Sequence, residues 1–268
     1  MIFKQLFEPD TCTYTYLLAC EASQKAILID TVATELGHYK DLLENLNLKL
    51  IYTLETHVHA DHVTAASLLR DQLGSKSIVH RDAGAMCADL LVTDGIEFQV
   101  GGIEIKVLHT PGHTSGCVSY VIGERVFTGD SLLINGCGRT DFQQGDSATM
   151  YKSVTEKLFT LPPDTLIYPG HDYNGRRVSC IAQEMALNSR LGEHKSSADF
   201  IEIMQHLELP YPKYIDKALP ANQACGATDS HDLPLSSYAF SQLFGNPYWR
   251  LIRRWRLYSD RSRSGLSC

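Results

Sequence analysis

Apolar residues follow two alternating patterns along the chain: short runs of β-branched and apolar residues, and longer segments with an apolar residue every three or four positions. The short runs predict strands at 13–19, 25–30, 48–53, 77–80, 104–108, 118–122, 125–128 and 165–168. The longer segments predict helices over 36–45, 63–73 and 151–161, and a largely helical stretch from 169 to about 207. Strands that alternate with helices favour an α/β architecture.

The last part of the chain has a different composition. Six arginines lie among the tryptophans and aliphatic residues of 248–263. Such a segment is typical of an amphipathic helix that touches an anionic surface or a partner. A helix packed on its own domain, or a frayed terminus, is the more ordinary outcome. We therefore divide the chain into a main domain, residues 1–226, and a C-terminal extension, residues 227–268, of unknown role.

Composition and charge narrow the range of functions. The chain has 268 residues, enough for one large domain with an appendage, and a net charge of −7. This charge argues against nucleic-acid binding, which usually needs a basic face. No secretory signal and no apolar run of about 20 residues is found, so we expect a cytoplasmic protein without an integral membrane segment. The eight cysteines form no C-x-x-C pair and are expected to be reduced, mostly buried thiols.

Metal-ligand residue types follow four of the predicted strands, at the point where each strand ends. His57, His59, Asp61 and His62 follow 50–54; His113 follows 105–108; Asp130 follows 126–129; and His171 follows 166–170. Each residue alone has an ordinary explanation, such as a hydrogen-bonded histidine or a helix cap. In α/β sheets, however, sites form outside strand ends, so four such ends can direct seven side chains into one crevice. The sequence therefore predicts a soluble metalloenzyme.

The order His-x-His-x-Asp-His at 57–62, with the later His113, Asp130 and His171, resembles the signature of the metallo-β-lactamase superfamily. The resemblance covers roughly residues 1–226. It implies an αββα sandwich, with two mixed β-sheets face to face, helices outside them, and the site along one edge. It also implies that residues 1–226 form the catalytic domain.

Two branches of this superfamily fit the ligand types. Glyoxalase II hydrolyses thioesters with two metal ions bound by all seven residues, whereas persulfide dioxygenases bind a single iron. Segments 136–145, 168–173 and 219–222 are similar to the dioxygenases. Segment 110–117 ends in Cys117, where glyoxalase II commonly has histidine. The long C-terminal helical domain with which glyoxalase II holds glutathione is also not recognisable, so we favour the dioxygenase and keep the hydrolase as the alternative.

Resemblance to the dioxygenases implies His57, His113 and Asp130 as the ligands of one Fe(II) per chain. Two histidines and one carboxylate are the ligand set of non-haem Fe(II) oxygenases, and they leave open positions for substrate and O2. Zinc has no redox activity and suits hydrolysis instead. The implied reaction oxidises glutathione persulfide with O2 and water to sulfite and glutathione. Glutathione is then part of the substrate rather than a prosthetic group.

Further residues receive supporting roles from the same resemblance. Four ligand-type side chains are expected to surround the iron ligands, orient them and hold waters: His59, Asp61, His62 and His171. Tyr173 is expected to form a hydrogen bond near the open iron positions. Arg139 either binds a carboxylate of glutathione or forms a structural ion pair with Asp141 or Asp172.

The sequence leaves the oligomeric state and the presence of turnover open. Relatives often form dimers, so a homodimer is an expectation rather than a conclusion. The superfamily fold also permits a metal-bearing regulatory or scaffold protein without turnover, because fold does not fix function.

Overall fold

A computed structural model describes residues 1–227 and the backbone of 258–259. Its strands form two mixed sheets. The first sheet contains, in spatial order, β13 (Tyr258–Ser259), β1 (Ile2–Glu8), β2 (Thr13–Cys20), β3 (Lys25–Ile29), β4 (Lys49–Leu54), β5 (Lys76–His80) and β6 (Leu90–Val92). The second contains β12 (Ser179–Cys180), β11 (Leu166–Pro169), β10 (Arg125–Gly129), β9 (Val118–Ile122), β8 (Ile103–His109) and β7 (Glu97–Val100).

The main core lies between these two sheets. Residues of alternate positions on facing strands fill it, including Ile27 and Ile29 from β3 and Ile105 and Val107 from β8. Strand β8 shows the two-residue period clearly, because Glu104 between its core residues is exposed. Burial of one face of each sheet fixes the strand register, since a shift by one residue would turn the apolar side chains outward.

Helices cover the outer faces of both sheets. Helices α1 (Leu36–Asn45) and α2 (Ala66–Leu73) pack on the first sheet through a second apolar cluster. Helices α3 (Ser147–Ser153), α4 (Ile181–Leu187) and α5 (Ser197–Gln205) pack on the second sheet through a third cluster. Helix α6 (Ile215–Gln223) follows them. The predicted αββα sandwich of two mixed sheets is confirmed.

Several predicted elements differ in extent. The helix predicted over 63–73 begins only at Ala66. Before it, the backbone N–H of Thr64 donates to the Asn222 side chain and that of Ala65 to the Thr31 carbonyl. The helix predicted over 151–161 begins earlier, at Ser147, where the Asp146 side chain caps it, and ends in a π-helical turn. The stretch 169–207 is helical only in α4 and α5.

The cysteine prediction is wrong for one pair. Cys87 and Cys225 form a disulfide across 138 residues of sequence, with their Cα atoms 5.9 Å apart. Folding brings the loop after β5 beside the segment after α6, and no spacing in the sequence reveals that proximity. The other described cysteines are free thiols, as predicted.

The amphipathic helix considered for 248–263 lies outside the described residues, apart from the two-residue strand β13. Among residues 1–227, every helix is too short or too polar to cross a bilayer.

Candidate metal centre

Four loops build the candidate metal centre at one edge of the sandwich. They follow β4 of the first sheet and β8, β10 and β11 of the second. Two backbone hydrogen bonds tie the sheets together here: the N–H of Val118 donates to the Thr56 carbonyl, and the N–H of Tyr14 donates to the Gly170 carbonyl, both at 2.8 Å. The seven ligand-type side chains predicted from the strand ends therefore meet in one region, although they come from positions 57 to 171.

Three of these side chains form a compact ligand group. Ligand atoms of His57, His113 and Asp130 all lie within 4.8 Å of one another. Nε2 of His113 is 3.7 Å from Oδ2 of Asp130, and the rings of His57 and His113 have centroids 4.9 Å apart. Two imidazoles and one carboxylate at this spacing suit a transition-metal ion.

Hydrogen bonds set the tautomer of His57. Its Nδ1 lies 3.0 Å from the hydroxyl of Thr56, and this hydroxyl donates to Asp30 Oδ2 at 2.8 Å. The hydroxyl proton is thereby engaged, so the Thr56 oxygen accepts the Nδ1–H of His57. Nε2 is left with a lone pair for a metal, which is the usual arrangement around a metal-binding histidine.

His113 is oriented in the same way by a backbone carbonyl. Its Nδ1–H donates to the carbonyl of Arg139 at 2.7 Å, so Nε2 again keeps its lone pair. Close packing against Gly138 makes this contact possible. A Cβ atom at Gly138 would lie 2.9 Å from His113 Nδ1 and 2.8 Å from the Asp130 carbonyl oxygen. Glycine is therefore required where the 136–145 segment passes the ligands.

A second group of ligand-type atoms lies beside the first. His59, Asp61 and His62 offer atoms within 4.8 Å of one another. Nε2 of His59 is 3.2 Å from Asp30 and 3.3 Å from Glu55, so this nitrogen points into a buried pair of carboxylates. Nδ1 of His59 and Nε2 of His62 are buried without a hydrogen-bond partner among the described residues. Unpartnered buried nitrogens of this kind fit a site that holds a metal or an ordered water.

His171 connects the two groups. Its Nδ1–H donates to Asp130 Oδ1 at 2.8 Å and its Nε2–H donates to Asp61 Oδ2 at 2.9 Å. The buried hydroxyl of Thr13 also donates to Asp61 at 3.1 Å and lies 3.2 Å from His171 Nε2. Both ring nitrogens of His171 are therefore occupied by carboxylates.

Charges in the site reinforce this pattern. Burial would raise the pKa of Asp130, but the charge and hydrogen bond of His171 outweigh it and lower this pKa far below the usual range. Burial would lower the pKa of His171, but Asp130 and Asp61 outweigh it and raise this pKa well above the usual range. Burial and the charge of His59 lower the pKa of His57, which keeps that ring neutral and able to bind a metal.

The two predicted substrate contacts have different surroundings. Tyr173 is 70% exposed and stacks on the ring of His171 with centroids 6.1 Å apart, so it stands at the rim of the site. The guanidinium of Arg139 forms a two-point ion pair with Asp141, at 2.6 and 2.7 Å, and donates to the Pro210 carbonyl. Of the two roles considered for Arg139, these contacts support the structural one. Its partner is Asp141, because Asp172 pairs with Arg176.

Sequence reasoning missed four residues that hold the site together. Asp30, Glu55 and Thr13 contact the ligand-type side chains directly. Asn222, in α6, donates from its side-chain amide to the carbonyls of His59 and His62 at 2.8 and 2.7 Å. The available sequence signal for Asp30 was an acidic residue at the end of an apolar strand-like run. Asn222 had no signal beyond its place in the 219–222 segment.

A groove of about 160 Å³ opens beside Asp61 and His62. Its other walls include Val32, Tyr214 and Lys217, so it is mostly apolar with a few polar groups at its margins. Two residues of α6, Lys217 and Ala218, also line this groove.

Comparison with known proteins agrees with the fold. Residues 13–171 match the Metallo-beta-lactamase superfamily, and the chain belongs to that superfamily. It is 48% identical over 229 residues to the mitochondrial persulfide dioxygenase ETHE1 of Homo sapiens, which covers 84% of this chain and 89% of the human protein. A probable metallo-hydrolase of Burkholderia pseudomallei is 33% identical over 248 residues, covering 75% of this chain and 84% of that protein. The crystal structure of ETHE1 from Myxococcus xanthus superposes with a TM-score of 0.83 at 49% identity, covering 85% of this chain and all of that one.

Proposed function

We propose that this chain is a non-haem Fe(II) persulfide dioxygenase that converts glutathione persulfide, O2 and water into glutathione and sulfite. Relatives named persulfide dioxygenase share about half of its residues over most of its length, which supports the reaction class. The observation that carries the proposal in this chain is the group of His57, His113 and Asp130, in which hydrogen bonds free both Nε2 atoms for a metal.

The reaction balances with one persulfide, one O2 and one water. Both oxygen atoms of O2 and the oxygen of water end on the terminal sulfur, the S–S bond breaks, and the inner sulfur leaves as the glutathione thiol. A bound Fe(II) supplies the redox chemistry that O2 requires and that zinc lacks. One Fe(II) per chain, held by His57, His113 and Asp130, is the proposed cofactor.

The residues around this ligand set keep it in place and carry protons. His171 holds the carboxylate of Asp130 through one N–H and that of Asp61 through the other. This double contact fixes which oxygen of Asp130 remains free, namely Oδ2. His59 and His62, whose second nitrogens have no partner among the described residues, are suited to hold water beside the iron.

The substrate is proposed to approach over Tyr173, whose hydroxyl stands at the rim and can donate to a persulfide or a bound water. Arg139 is proposed to act through its backbone carbonyl, which orients His113, rather than through its guanidinium. The groove beside Asp61 and His62 is the proposed location of the glutathionyl part, because it borders these two side chains and has about 160 Å³ of space with apolar and polar walls.

One observation favours the alternative, a dinuclear thioester hydrolase of the glyoxalase II kind. The group of His59, Asp61 and His62 has the composition of a second metal site. The hydrogen bonds of His171 argue against it. Both ring nitrogens of His171 donate to carboxylates, so this histidine could bind a second metal only if one of these hydrogen bonds were broken.

Oxygen uptake, measured with an oxygen electrode, distinguishes the two reactions, because only the dioxygenase consumes O2. Purified protein given glutathione persulfide is expected to consume one O2 per sulfite formed and to leave S-lactoylglutathione intact. Thioester hydrolysis without O2 uptake would establish the alternative, and intact metal with neither activity would indicate a protein without turnover. Location in the cytoplasm and a homodimer remain predictions, to be checked by fractionation and by light scattering.

A further inference from the structure

The Cys87–Cys225 disulfide joins two segments that contact the metal-site loops from behind. Cys87 is exposed in the loop that follows β5, whereas Cys225 is only 4% exposed. Cys225 packs in an apolar cluster with Val58 and Val79. Val58 lies between the two histidines of the His-x-His motif, so the disulfide reaches the back of the metal centre.

The segment that contains Cys225 holds the 57–64 loop by several contacts. Asn222, three residues earlier, donates to the carbonyls of His59 and His62 and accepts the N–H of Thr64. The next residue after the cysteine, Gly226, passes so close to Thr64 that a Cβ there would lie 2.2 Å from the Thr64 carbonyl oxygen. The carbonyl of Cys225 also accepts the N–H of Ser67 at the start of α2.

The segment that contains Cys87 supports the other ligand loop. The hydroxyl of Ser115, two residues after His113, donates to the Asp82 carbonyl at 3.0 Å. Gly116 packs directly on Ala83, because a Cβ at Gly116 would lie 2.4 Å from the Ala83 Cα. The disulfide therefore links the segment that contacts the His57 loop to the segment that contacts the His113 loop.

We propose that this disulfide is a modification site for small thiols and persulfides, and that its reduction loosens the hold of the two loops on the metal. Its reduction is chemically independent of the proposed function. Its effect on iron rests on that function, because iron is taken to lie between the two loops.

The exchange proceeds from the exposed side. A small thiolate attacks Sγ of Cys87, the S–S bond breaks, and Cys225 leaves as a thiolate that takes a proton. A second small thiolate then attacks the outer, small-molecule sulfur of the mixed disulfide. Cys87 leaves as a thiolate and takes a proton, so that two protein thiols and one small disulfide are formed. The apolar surroundings of Cys225 favour its neutral thiol after release. The substrate of the proposed reaction and its thiol product both belong to the class of sulfur compounds that perform this exchange.

Reduction and its consequence are measured on the iron-loaded protein in buffers of increasing reduced-to-oxidised glutathione ratio. Maleimide labelling under denaturing conditions counts thiols, and reduction is expected to add two reactive thiols, those of Cys87 and Cys225. Hydrogen exchange of residues 57–67 and release of iron to a chelator are followed on the same samples. Both rates are expected to rise at least about threefold on reduction, because the disulfide no longer restrains local opening of the two loops.

Two variants make the outcome unambiguous. Cys87→Ser, at an exposed position, is expected to show the faster rates in every buffer, and Cys20→Ser, which leaves the pair intact, is expected to behave as wild type. Eight reactive thiols in protein purified without reductant, or equal exchange and release rates in the two redox forms, would overturn the proposal. If reduction accelerated hydrogen exchange but the protein bound no iron, the effect of the disulfide on the two loops would be supported and the proposed function would be refuted.

Discussion

Asn222 offers a sharp test of how the site is held, because it supports the histidine motif without contacting a metal ligand side chain. Replacement of Asn222 by alanine removes two hydrogen bonds to the carbonyls of His59 and His62 and one from the N–H of Thr64. The residue is 4% exposed, so these three backbone groups lose their partner in a buried place. An unpartnered buried polar group costs about 1–3 kcal/mol.

The expected loss of stability is smaller than the full cost of leaving all three backbone groups without a partner. A void of about 10 Å³ already lies beside Asn222, and the missing amide enlarges it enough for a water molecule to bridge some of the freed groups. We therefore expect the free energy of unfolding to fall by about 3 kcal/mol. Iron affinity is expected to fall as well, because the 57–62 loop loses its anchor.

Urea unfolding followed by far-ultraviolet circular dichroism measures this change, with bound iron determined on the same preparations. The matched control is Gln223→Ala at the adjacent exposed position, expected to change stability by less than about 0.5 kcal/mol. Asn222→Asp keeps the acceptor for Thr64 but loses both donors, and it is expected to be at least as destabilising as alanine. An Asn222→Ala protein as stable as the control, with unchanged iron, would refute the reasoning.

Three substitutions test the ligand assignment itself. Asp130→Ala is expected to abolish stoichiometric iron binding, whereas Asp164→Ala, at an exposed acid far along the chain, is expected to retain it; retained iron in the first variant contradicts the assignment. His59→Ala is expected to keep one iron and lose part of the O2 uptake, and a fall from two metals to one would instead show a dinuclear centre. Gly138→Ala places a Cβ 2.9 Å from His113 Nδ1 and is expected to weaken iron binding about tenfold or more, as measured by competition with a chelator; unchanged affinity would show that the segment shifts freely.

The ligand-type residues that the structure brings together could be picked out from the sequence because they obey local rules. Each follows an apolar strand-like run at a glycine, proline or turn, and sites in α/β folds form at such positions. The same local rules predicted α1 to the residue and most central strands. The short edge strands β6 and β7 were missed, because three or four residues carry too little periodic signal. Helix α6 was missed as well, and it contains Pro220.

Contacts between distant parts of the chain were not predictable. Asn222 reaches the histidine motif across some 160 residues, and Cys225 reaches Cys87 across 138. The role of Arg139 depended on which carboxylate lies within reach of its guanidinium. The structure places Asp141 there, two residues away. Such choices are decided by packing, which no single local pattern encodes.

The central claim, a single catalytic iron held by His57, His113 and Asp130, is tested most directly by reconstitution. Metal-free protein is loaded anaerobically with increasing Fe(II), and bound iron and persulfide-dependent O2 uptake are measured on each sample. We expect activity to rise in proportion to bound iron and to level off at one iron per chain, with no activity in zinc-loaded protein. Activity that levels off only at two metals per chain, or that zinc restores, would contradict the account.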